Sequence, residues 1–145
     1  MNYIIALIGA GVVGVCIALE PTVNYGLGRI ITPKLATLHS FLVGTFIVLL
    51  INIFSGGLSE YRNIVKAPPY LWVGGLLGAI VVYGGAKVTG VLGVASTITI
   101  MVAVQLGTSI LIDNFGLFGA ERVPIDISRI IGILLLIVAV KLIVK

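Results

Sequence analysis

Charge is scarce in this chain and acid is scarcer: 10% of the residues are charged, with nine Lys and Arg against five Asp and Glu. A soluble domain carries about 25% charged residues, so a water-soluble fold is excluded. Cysteine occurs once, at Cys16, which excludes an intrachain disulfide and any cysteine-built metal cluster. No Cys/His group has metal-ligand spacing, and neither a metal nor a cofactor is expected. Residues 1–19 hold no Lys or Arg. Their hydrophobic run therefore lacks the charged n-region of a secretory signal and reads as a retained first helix, with Cys16 a buried, unreactive thiol.

What is present is apolar surface: 59% hydrophobic residues and a mean hydropathy of +1.26. A bilayer core about 30 Å thick, crossed by about 20 apolar residues in a helix, accommodates this; an aqueous fold does not. The lipid bilayer is thus the expected surrounding. The formal net charge of +4 reads as loop Lys and Arg facing anionic headgroups, and nucleic acid is not an expected partner. Gly9, Gly11 and Gly14 match the G-x-G-x-x-G spacing of a dinucleotide-binding loop. That reading needs an acid about 20 residues further on, but Glu20 is the nearest and none follows between Pro21 and Gly57. In a membrane helix the same glycines serve close packing, with Ala10, Gly14 and Ala18 forming a small-residue stripe.

Five spans are predicted, at about residues 2–31, 33–54, 70–86, 90–112 and 127–144, in one domain covering 1–145. The first is long and carries Glu20 and Pro21; Pro21 is expected to bend it and free the carbonyl of Ile17. Thr32 and Pro33 read as the N-cap and first residue of the second. Gly74 and Gly78 read as a packing pair on the third. An odd number of spans puts the termini on opposite faces. Arg62, Lys66, Arg122 and Arg129 then lie on the N-terminal side, and Arg29, Lys34, Lys87, Lys141 and Lys145 on the other. Four cations against five is no clear bias. The balance favours insertion in both orientations and pairing of the chain with its own inverted copy, in the manner of inverted-repeat transporters.

Glu20 is the strongest chemical signal. A carboxylate inside a hydrophobic segment is costly and generally faces a cavity on a substrate or ion path, although a helix-end acid can also snorkel to the headgroups. Asn24 and Gly28 follow on the same helix face and Cys16 precedes it. A buried carboxylate is neutralised by a proton or by a cationic ligand in turn, which gives a simple exchange mechanism. Trp72 and Tyr83, on one face of the third span, would suit an organic cation through their rings, while Trp72 equally fits an interfacial belt. Thr97, Met101, Gln105 and Thr108 form a polar stripe that either lines a path or bonds a neighbouring helix. His39 and Ser40 are adjacent on a helix and point about 100° apart, so they do not form a base and nucleophile; an enzyme is not expected. Either could line a pore or a helix contact. Asp126 reads as the cap of the last span, and Arg129, unfavourable in its first turn, calls for a carboxylate partner, for which Asp113 is placed.

The stretches "ALEPTVNYGLGR" (18–29), "HSFLVGT" (39–45), "YLWVGGLLGA" (70–79), "VQLGTSILIDNFGLFG" (104–119) and "RIIGILLLIVAV" (129–140) resemble the YdcZ-type family, short five-helix members of the drug/metabolite transporter superfamily. The resemblance runs the length of the chain, and "ILIDNFGLFG" is its most specific part. It implies an all-α bundle equal to half of a ten-helix inverted-repeat transporter, working as an antiparallel homodimer or with a related chain in a bacterial or archaeal inner membrane. The family commonly has Gln where this chain has Glu20, followed by Asn at the position of Asn24. The carboxylate brings the chain nearer to the small multidrug resistance relatives. The expected function is a small secondary transporter, exporter or antiporter, with alternating access and proton-coupled exchange of a small organic cation or metabolite. Glu20 would bind substrate or proton, with Asn24, Gln105 and Tyr83 around it. A dual-topology passive channel and a non-transporting assembly subunit are the alternatives.

Overall fold

A computed structural model describes residues 2–144; Lys145, counted above among the loop cations, lies outside the described residues. It is all-helical, with no strand among those residues. Five α-helices follow one another: α1 (Tyr3–Ile30), α2 (Pro33–Ser55), α3 (Gly74–Leu92), α4 (Val94–Phe115) and α5 (Ile127–Ile143). Segments Gly57–Lys66 and Pro69–Val73 are 3-10 helical and lead from α2 into α3. Four stretches are long and apolar enough to cross a membrane: Tyr3–Ile30, Pro33–Ser55, Pro69–Leu92 and Val94–Phe115. α5 has 17 residues and so rises about 25 Å, a little under the hydrocarbon thickness.

The chain divides into two compact units, residues 1–87 and 88–145. In the first, α1 and α2 form a tight helical hairpin. Ile31 gives its N–H to the Leu27 carbonyl at 3.1 Å, and the Thr32 hydroxyl accepts from Leu35 N at 3.2 Å with Pro33 opening the helix. The turn packs closely at Gly28, where a Cβ would stand 3.2 Å from Pro33 Cα. α1 continues unbroken through Pro21, which is buried, as is Ala36. Small residues of α3 complete the packing. An added Cβ at Gly85 would meet Pro21 Cβ at 3.4 Å, and one at Gly78 would meet the Phe41 ring at 3.4 Å.

In the second unit α4 and α5 pack together. The helix break before α4 falls at Gly93, whose φ of +78° is open to glycine and costly for other residues. This differs from the predicted gap between the third and fourth spans at 87–89. In this stretch Lys87 lies over the Tyr83 ring, one turn back, at 5.0 Å, and Thr89 is buried. α4 ends on left-handed Gly116, and the following loop folds back on it. Val123 N donates to Asp113 O at 2.9 Å, Arg122 Nε to Asn114 O at 3.0 Å, and Ile125 N to Asn114 Oδ1 at 3.3 Å.

Most other apolar side chains on the helices are exposed in the single chain, among them Ile4 at 63% and Leu142 at 75%. Such a surface is stable only against lipid or protein. Cys16 is among the exposed residues, which corrects the expectation of a buried thiol: the α1 face it occupies is not covered by α2.

Candidate functional site

Three predicted residues converge on the α1–α2 hairpin. Glu20 and Asn24 are one turn apart on α1, so their side chains share a face. Asn24 Nδ2 donates to Glu20 Oε1 at 2.6 Å. Across the hairpin, the Ser40 hydroxyl of α2 donates to Asn24 Oδ1. The chain of donation therefore runs Ser40 to Asn24 to Glu20, and Asn24, only 2% exposed, is fixed by partners on both ends of its amide. A buried amide left without them would be costly, so the pairing also holds the two helices in register.

Beside this chain lies a cavity of about 280 Å³ lined by Glu20, Ser40, Phe41, Gly44, Thr45 and Val82. Glu20 is its sole ionisable group. A larger cavity, about 710 Å³, continues along α2 from Gly44 and Thr45 through Val48, Leu49 and Asn52 to Leu58 and Tyr61. The two share Gly44 and Thr45 and so lie next to one another along α2. Phe41, Gly44, Thr45 and Val82 were not singled out from the sequence. The i, i+4 relations of Ser40 with Gly44 and Phe41 with Thr45 were the available signal on α2; Val82 had none.

The other predicted residues stand elsewhere. Tyr83 is near a separate cavity of about 360 Å³ with Lys34, Thr37, Ala79 and Ile80, and its ring already faces the Lys87 ammonium. Trp72 is 56% exposed and belongs to the 3-10 segment Pro69–Val73. The shared aromatic face expected for Trp72 and Tyr83 assumes unbroken α-helix; the tighter winding of a 3-10 turn, three residues rather than 3.6, shifts that register. His39 is exposed on α2, and the Ser40 proton goes to Asn24 rather than to it. Gln105 is exposed on α4 in the second unit. In its stripe Thr97 and Thr108 turn back to the carbonyls of Gly93 and Val104, at 2.7 and 2.8 Å, and so satisfy their own helix. Gly14 and Gly74 have nothing within 4 Å of an added Cβ, whereas Gly78 packs on Phe41.

Asp113 Oδ2 meets Arg129 Nη1 at 3.2 Å, and Asp126 Oδ1 caps α5 by accepting from Arg129 N at 2.8 Å. Together with the Asn114 contacts and left-handed Gly116, this makes the "DNFG" stretch a clamp between α4 and α5. Among the described residues no three His, Cys, Asp or Glu gather as a metal site.

An all-helical chain with four stretches long and apolar enough to cross a membrane, and apolar side chains exposed along them, has the form of an integral membrane protein. The family described as "Putative inner membrane exporter, YdcZ", of the drug/metabolite transporter group, matches residues 5–142, and the chain belongs to that family. It is a protein of the inner membrane, and its family description is that of a transporter rather than an enzyme. No curated protein and no solved structure matches it.

Proposed function

We propose that the protein is a small secondary transporter that exchanges protons for a small organic cation or metabolite at Glu20, by alternating access in an antiparallel dimer. In this reading α5 is a fifth span, and each chain supplies half of an inverted-repeat bundle. The observation that carries it is the Ser40–Asn24–Glu20 chain beside an otherwise uncharged cavity. A carboxylate with one oxygen hydrogen-bonded and the other without a hydrogen-bond partner among the described residues, far along an apolar helix, is poised for a proton or a cation but not both. The near balance of loop cations supports the inverted pairing, and the exposed small-residue stripe of α1 around Gly14 is a surface such a partner would cover.

Proteoliposomes under a pH gradient test the reading. The parent protein should drive a small organic cation uphill, and its binding should weaken as pH falls because proton and cation compete for one carboxylate. Glu20→Gln keeps the shape and the Asn24 contact; it should remain helical and dimeric but lose uphill flux, with residual binding nearly independent of pH. Equal uphill transport by the substituted protein would sink the assignment of Glu20 as the coupling group.

A further inference from the structure

We propose that the Glu20 cavity selects cations bearing N–H donors, the primary and secondary ammonium ions, over quaternary ammonium ions of the same size. The inference rests on the reading that Glu20 binds the cation, and it names the chemistry of that ligand.

The polarity of the hydrogen-bond chain is the reason. The amide of Asn24 spends a donor on Glu20 Oε1, and the Ser40 hydroxyl spends its one proton on Asn24 Oδ1. What remains for a ligand is the second carboxylate oxygen of Glu20 and the lone pairs of Ser40 Oγ, both acceptors. Thr45 lines the same space and makes no hydrogen bond among the described residues, so its hydroxyl serves in either sense. The rest of the lining, Phe41, Gly44 and Val82, offers no side-chain donor. The polar lining is therefore rich in acceptors, with one carboxylate, one hydroxyl whose proton is already spent and one free hydroxyl among apolar neighbours.

An ammonium N–H meets such acceptors at about 2.8 Å in a charge-assisted bond. A quaternary nitrogen is wrapped in methyl groups, which hold its charge further from the carboxylate and leave the acceptors desolvated without partners. Each hydrogen bond made to a charged group is worth about tenfold or more in binding. Attraction by aromatic faces, the usual compensation for a quaternary ion, is thin here: Phe41 supplies the cavity's one ring, and Gly78 is packed on it.

Two cations with one skeleton decide the matter: 2-cyclohexylpropan-2-ammonium and N,N,N-trimethylcyclohexylammonium. They exchange a carbon and a nitrogen, have equal numbers of non-hydrogen atoms and equal charge, and differ in N–H. Their affinities for the purified full-length protein are measured by thermal shift and calorimetry at neutral pH. The primary ammonium should bind at least about tenfold tighter. Ser40→Ala should shrink that ratio and Ser40→Thr should restore it, with helicity followed by circular dichroism. Equal affinities, or tighter binding of the quaternary ion, with both lost in Glu20→Gln, would overturn the selectivity and leave Glu20 as a cation site. Binding of neither ion, or binding of both that survives Glu20→Gln, would overturn the cation site itself and the selectivity with it. The ratio on the parent protein is decisive even if the Ser40 variants do not fold.

Discussion

Ser40 and Asn24 are sixteen residues apart in sequence, yet the hydroxyl of one on α2 donates to the amide oxygen of the other on α1. This single bond ties the carboxylate of Glu20 to a second helix. Any movement of α2 against α1, of the kind alternating access requires, must break or remake it. Asn24 would then lose a partner while buried, at a cost of about 1–3 kcal/mol, which is enough to separate two states of the hairpin.

Gly44 lines both the Glu20 cavity and the larger space along α2, and an added Cβ there meets nothing within 4 Å. Gly44→Leu should therefore fold normally, and swapping Gly for a better helix former should slightly favour the helix. Its side chain would fill the path. Ligand binding and flux should fall by about tenfold or more, with no loss of thermal stability; unchanged flux would show that substrate does not pass along this face.

The Asp113–Arg129 pair is partly exposed, its side chains 39% and 30% accessible, so its strength should be modest. A double-mutant cycle with Asp113→Ala and Arg129→Ala should give a coupling of about 0.5–1 kcal/mol in detergent unfolding followed by helicity. Removing the cap by Asp126→Ala should cost about 1 kcal/mol. A coupling of zero would mean that α4 and α5 are held by packing and backbone contacts alone.

For topology, reporters fused to the C-terminus should appear on both sides of the inner membrane. Removing Arg62 and Lys66 together leaves two cations on the N-terminal side against five on the other. The C-terminus should then become cytoplasmic throughout. A C-terminus already confined to one side in the parent would replace the self-inverted dimer with a pairing to a differently oriented chain.

Gly14 has open space around it within the chain, so Gly14→Leu should leave the monomer intact. If the α1 stripe meets a second copy, the substitution should lower the dimer fraction measured by cross-linking or light scattering. The same preparation should bind no adenine dinucleotide. An unchanged dimer fraction would move the contact to another face.

Composition and hydropathy alone settle the class of the molecule. Low charge, high hydropathy and helix-length apolar runs leave no soluble alternative, and these are properties of composition and period that survive any detail of packing. The sequence also marked Glu20 and Asn24, since a carboxylate and an amide one turn apart in an apolar helix are legible from spacing alone. Asp113 and Arg129 were legible for a similar reason: a cation in a helix's first turn calls for an acid. What tertiary structure decided were relationships across helices. Ser40 becomes Asn24's partner because the hairpin closes α2 onto α1, with Gly28 close against Pro33, and Phe41, Gly44, Thr45 and Val82 line one cavity because α3 brings Val82 to α2. Local conformation decided the rest. The Pro69–Val73 segment winds as a 3-10 turn, and α3 runs on through Lys87, which lies over the Tyr83 ring, to Leu92. Those outcomes turn on which neighbour a side chain finds, and neighbours distant in sequence are set by packing rather than by period.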